Sequence, residues 1–111
     1  MLTADEIKQI EDKAEELSIS LKTKVHIYCS DDEEKVVAFF KEPNYTQKLY
    51  AMGKMTTVDP FMAANELRGI LTIKEETDPR CMDGGEDKYI LGLTVAIIPV
   101  IEVAANAFKK K

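Results

Sequence analysis

An α+β fold follows from three features of this 111-residue chain: an apolar helical period near its start, a switch to strict alternation after Lys24, and a return to helical spacing that ends in a long apolar run. The expected order is an N-terminal helix, an antiparallel β-hairpin, and three more helices closing with a long apolar one. The length suits a single domain over residues 1–111.

Thr3 followed by Glu6 has the spacing of a capping box, in which each side chain accepts from the other residue's backbone N–H. Ile7, Ile10, Ala14, Leu17 and Leu21 then recur at helical spacing, and the residues between are largely charged. This predicts a helix from about Ala4 to Leu17, one side packed and one wet. In "KVHIYCS", Val25, Ile27 and Cys29 alternate with His26, Tyr28 and Ser30, and "EKVVAFFKE" follows the acidic turn "DDEE", which together predict a hairpin. Pro43 ends the second strand, because it supplies no ladder donor and restricts Glu42 before it.

A third element is predicted as a helix from about Tyr45 to Met55. The next is opened by Asp59 as cap and Pro60 in the first helical position, with Ala63, Leu67, Ile70 and Leu71 on one face. "KEETDPRCMDGGED" reads as a polar loop with Gly84 and Gly85 as its flexible point. The last helix is predicted from near Glu86 to about Phe108, with Ile90, Leu93, Ile97, Val100, Ile101, Ala104 and Phe108 on one side and Leu91, Val95, Ile98 and Val103 on the other. A helix apolar nearly all round needs cover from its own domain, a second copy, or lipid. Lipid is disfavoured, because Gly92, Thr94, Pro99, Glu102 and Asn106 interrupt a run that would need about 20 predominantly apolar residues to span. Pro99 is instead expected to kink the helix around a core.

The net charge of −5 is unevenly spread: Met1 to Pro43 holds 11 acids against 6 bases, and Asp87 to Lys111 holds 2 acids against 4 bases. Only the last three lysines offer the basic stripe that phosphate binding requires, so no nucleic-acid partner is expected. Those lysines are also explained by the negative end of the last helix. The opening "MLTADEIKQIEDKAEE" is acidic and helical rather than basic then apolar, which argues against a secretory leader. A reducing cytoplasm with Cys29 and Cys81 as free thiols is the expectation.

No catalytic or cofactor motif stands out. Along a strand His26 and Cys29 point to opposite faces, so they make a poor dyad. "DPRCMDGGED" has the acid density of a calcium loop, but Arg80 and Met82 stand where carboxylates are needed. "DGGED" lacks the spacing of a phosphate loop, and no Cys/His cluster suggests zinc. The turn Asp31 to Glu34 reads as a solvated hairpin tip. Met52, Met55 and Met62 suit core filling first and an adaptable partner surface second. The candidate partner-binding surface is therefore Met52, Met55, Met62, Leu91, Val95, Ile98 and Val103. Surplus apolar surface on so short a chain also leads us to expect homo-oligomers.

From Val36 to Val100 the order of segments is "VVAFFKEP", "YTQKLYAMGKM", "VDPFMAANELRGILT", an acidic "EETD" loop and an apolar final helix. This pattern resembles the small tail assembly chaperones of long-tailed bacteriophages. The resemblance implies a non-enzymatic protein, without a cofactor, in the cytoplasm of an infected or lysogenic bacterial host. It would bind the apolar, helical tape measure protein and help recruit tail tube subunits. The alternative reading is an intracellular homo-oligomeric adaptor.

Overall fold

A two-stranded ribbon has two faces and little stability of its own, so the helices of such a chain must cover it. The computed structural model describes residues 2–57 and 59–109, and side chains outside 54–57 and 102–109. The elements run α1 (Ala4–Leu21), β1 (Val25–Cys29), β2 (Val37–Lys41), α2 (Tyr45–Thr57), α3 (Pro60–Leu71) and α4 (Asp87–Lys109), with short 3₁₀ turns at Lys74–Glu76 and Pro79–Cys81. The fold is α+β, as the sequence predicts.

The capping box at the start of α1 is present: the Glu6 N–H donates to Thr3 Oγ1 at 3.1 Å and the Thr3 N–H to Glu6 Oε1 at 2.9 Å. The helix runs a turn further than the expected Leu17, because nothing before Lys22 breaks it. There the backbone turns left-handed (φ 57°) and its N–H closes on the Ser18 carbonyl. β1 and β2 pair antiparallel, Val25 opposite Lys41 and Cys29 opposite Val37. Alternation then sorts the hairpin between two cores. Val25, Ile27, Val37 and Phe39 pack with Ile10, Ala14 and Leu17 of α1 and with Ile73. Tyr28, Val36, Ala38 and Phe40 face Leu67 and Leu71 of α3 and Leu93, Ile97 and Ile101 of α4.

The outer edge of β2 is closed by the segment expected to be a plain polar loop. Hydrogen bonds from Ser30 N–H to Val36 O and from Glu42 N–H to Lys24 O fix the ladder phase. Bonded pairs alternate with unbonded ones, so Val37 and Phe39 turn their backbone groups outward. Ile73 N–H reaches Phe39 O at 2.8 Å, Asp78 N–H reaches Val37 O at 3.0 Å, and Phe39 N–H donates to Thr77 Oγ1 at 3.0 Å. Residues 72–78 thus close the β2 edge from either side of the 3₁₀ turn at Lys74–Glu76, without forming a strand, and the loop beyond them buries Cys81.

Two further expectations are corrected: Ile7 and Leu21, on the expected packed side of α1, are each 44 % exposed, and the face of α3 is displaced. In α3 the buried arc is Ala63, Ala64, Leu67, Arg68 and Leu71, which leaves Ile70 on the rim, 55 % exposed. α4 buries one stripe, Tyr89, Leu93, Ile97 and Ile101, while Leu91 and Val95 stay open, so the domain alone does not cover it. The expectations for Ala104, Phe108 and the terminal lysines fall outside the described side chains. Among the described residues no helix is long and apolar enough to cross a membrane.

Gly92 lets α4 approach β1: a Cβ there would overlap the Tyr28 hydroxyl and its ring carbon, whereas a Cβ at Gly69 in α3 would meet open space. We expect Gly92→Ala to destabilise by ~1–3 kcal/mol through overpacking. Gly69→Ala should instead stabilise by ~0.5–1 kcal/mol through helix propensity. Urea melts of the two variants check both signs.

Candidate protein-interaction surface

Both α2 and α3 leave large apolar residues outside: α2 packs inward through Ala51, and α3 through Ala63 and Ala64 together with Leu67, Arg68 and Leu71. Asn44 and Gln47 cap α2 reciprocally, each backbone N–H donating to the other's side-chain oxygen at 2.8 Å. Asp59 caps α3, accepting from the Met62 N–H at 3.0 Å. A hydrogen bond from the Tyr50 hydroxyl to Glu66 joins the middles of the two helices. The residues they bury include Ala51, Ala63 and Ala64. Facing solvent are Tyr45 and Leu49 on α2 and Phe61, Met62 and Ile70 on α3. Tyr45, Leu49 and the half-buried Met52 follow one another at i, i+4 and i+7, a single apolar stripe along α2.

Of the residues singled out from sequence, Met62 is exposed and Met52 half-buried, so core filling does not describe Met62. Leu91 and Val95 are exposed and border a separate surface cleft of about 440 Å³, lined also by Tyr28, Cys29, Asp31, Lys88 and Gly92. Ile98 is half-buried against the main core. The side chains of Met55 and Val103 lie outside those described. Sequence reasoning missed Tyr45, Leu49, Phe61 and Ile70. The available signal was Ala51 in α2: a helix that packs inward through alanine sits close to its neighbour and leaves Tyr45 and Leu49 outside.

The acidic hairpin tip is not simply solvated. Asp32 Oδ1 accepts from Ser30 Oγ at 2.8 Å and from the Glu34 N–H, and its other oxygen accepts from the Tyr89 hydroxyl of α4 at 2.7 Å. The Tyr89 bond foremost, then Ser30, holds the Asp32 carboxyl at about 2 and pushes the Tyr89 phenol up. Arg80 and Lys88 both lie over the Tyr89 ring, at 5.5 and 4.8 Å from its centre. Arg80 also pairs with Asp78 at 2.9 Å and Glu34 at 3.3 Å.

Two further polar clusters, around His26 and around Arg68, lie outside this turn. His26 Nε2 lies 2.6 Å from Glu42 Oε1, with its ring stacked on Phe40, and Lys48 approaches Glu42 at 3.7 Å. Among the described residues no hydroxyl or thiol hydrogen bonds to this pair. Cys81 is buried, and desolvation pushes its thiol up to about 11, away from the nucleophilic thiolate. Arg68 is also buried; its Nη2 reaches Asp83 at 2.9 Å and Asn65 at 3.3 Å, while its Nε has no hydrogen-bond partner among the described residues. No group of three or more metal-ligating side chains occurs among the described residues. No protein-family model matches the chain, and no curated protein or solved structure shows significant similarity to it.

The hairpin anchor is open to an acid test. Folding lowers the Asp32 carboxyl from its ordinary 3.8 to about 2, so its contribution is complete above about pH 4 and lost as pH falls through about 2. We expect Asp32→Asn to be less stable than wild type at neutral pH and to lose less stability than wild type between those limits. Urea melts at stepped pH would show the flattened slope.

Proposed function

We propose that this protein is a non-enzymatic, chaperone-type binding module that holds an apolar helical polypeptide, in the manner of the tail assembly chaperones that its sequence resembles. The observation that carries the reading is the number of large apolar side chains that α2 and α3 leave in solvent: Tyr45, Leu49, Phe61, Met62 and Ile70. The stripe Tyr45, Leu49 and Met52 along α2, with Met62 exposed on the neighbouring helix, suits an amphipathic helix laid against it, since such partners are read through anchors spaced at i, i+4 and i+7. Exposed methionine adds a surface that can repack against more than one sequence.

On this reading the client is a tape measure protein, with tail tube subunits as later partners, in the cytoplasm of a bacterial host. The second reading, a homo-oligomeric adaptor, is favoured by one different observation: α4 leaves Leu91 and Val95 open beside β1.

The test is suppression of aggregation. An apolar helical polypeptide diluted from denaturant should stay in solution when the protein is present at equal concentration, as read by light scattering. The variant Phe61→Gln, Met62→Gln, Ile70→Gln should lose that protection at least several-fold. Exposed positions of this kind change stability by only about 0.5 kcal/mol each, so its circular dichroism should match wild type. Equal protection by the variant, or none by wild type, would sink the proposal.

A further inference from the structure

The two edges of the hairpin are treated differently. The outward backbone groups of β2 are taken up by Ile73, Thr77 and Asp78. By the same ladder phase, β1 turns the N–H and C=O of Val25, Ile27 and Cys29 away from β2. No hydrogen bond among the described residues uses them. Proteins usually blunt such an edge with proline, lysine, a bulge or a covering segment. From Val25 to Cys29 there is no proline, no lysine and no acid, and the pairing with β2 runs without a bulge.

We infer that β1 is an interface: it pairs antiparallel with β1 of a second copy, centred on Ile27, joining two hairpins into one continuous sheet. The inference uses neither the α2–α3 surface nor the client reading, and stands or falls apart from them. A register centred on Ile27 is the one that engages all three outward residues at once, Val25 with Cys29, Ile27 with Ile27, and Cys29 with Val25, each pair exchanging two backbone hydrogen bonds. The side chains between them then match as well. His26 comes opposite Tyr28 on the α4 face, an aromatic cross-strand pair on each side of the two-fold axis.

Charge selects a second copy over an unrelated strand. β1 is preceded by Lys22 and Lys24 and followed by Asp31, all exposed and with no ion-pair partner among the described residues. Antiparallel self-pairing brings the basic end of each strand to the acidic end of the other: Lys24 opposite Ser30, beside Asp31 of the second copy. The complementarity occurs twice by symmetry. The two-fold axis stands perpendicular to the sheet, so both α4 helices lie on the same face. Their open Leu91 and Val95, which border the cleft along Tyr28 and Cys29, then flank the seam from both sides. This gives the uncovered stripe of α4 the cover that its own domain leaves out.

The experiment is sedimentation equilibrium on the full chain with paired charge reversals. Wild type should be a dimer. Lys24→Glu and Asp31→Lys should each weaken the dimer by about tenfold, and the double variant should recover most of the loss. Both residues are exposed and unpaired in the monomer, so unchanged circular dichroism is expected throughout. The register is checked separately with Val25→Cys, which sits opposite the natural Cys29 of the second copy. Mild oxidation should give a covalent dimer on a non-reducing gel. Within one chain the two positions are about 13 Å apart along the strand and cannot bridge. A monomer at all concentrations overturns the inference. So does a dimer that is indifferent to both reversals and yields no cross-link, which would assign the interface to another face.

Discussion

The hairpin has to be buried on both faces at once. β2 lies at the centre of this constraint: Val36, Ala38 and Phe40 face one core, Val37 and Phe39 the other, and most of them are almost fully enclosed. Burying one phenylalanine side chain stabilises by roughly 1.5–3 kcal/mol, so Phe39 and Phe40, on opposite faces, each justify a layer of helix. α1 supplies one layer and the α3–α4 pair the other. Gly92 leaves room for the Tyr28 side chain against α4, and residues 72–78 are recruited because the strand they border would otherwise present unpaired backbone groups next to a dry interior.

Much of this was legible from local chemistry. The Thr3–Glu6 box, the Asp59–Pro60 start and the alternation after Lys24 each involve residues within a few positions of one another, and each is present in the structure. What could not be read depends on distant neighbours. Ile70 satisfies the helical period of α3 yet sits on its rim, because the arc that faces α2 and α4 is centred nearer Ala64 and Leu67. "KEETDPRCMDGGED" is polar in composition, and nothing in it announces that Thr77 and Asp78 will bond to a strand nearly forty residues earlier. For the candidate surface, the α4 residues Leu91 and Val95 were visible as surplus in an apolar run. On α2 and α3 only the methionines were, since exposure of Phe61 or Leu49 depends on which side of the helix its neighbours occupy.

The acidic turn shows the same limit in electrostatic form. Read alone, Asp31 to Glu34 is a cluster of like charges that water should solvate. In the fold its members are divided: Asp32 turns to Tyr89 and Lys88, Glu34 to Arg80, and Asp31 remains exposed. Placing two cations over the Tyr89 ring offsets part of the repulsion at the tip, so the charge there is partly structural. The bond from Asp32 to Tyr89 spans 57 residues of sequence.

That separation bears on the order in which the chain can assemble while it is being made. Synthesis runs at about 5–20 residues per second, so the turn exists for several seconds before Tyr89 does. Over that interval α1 can fold back on its side of the ribbon, but Phe40 and Ala38 have nothing to pack against, and β2 lacks the segment 72–78 that closes its edge. The nascent hairpin is therefore a half-covered species whose final closure is non-local and comparatively slow. Its risk of aggregation ends only when the first turns of α4 arrive, and the residues that complete the fold are made long after those they cover.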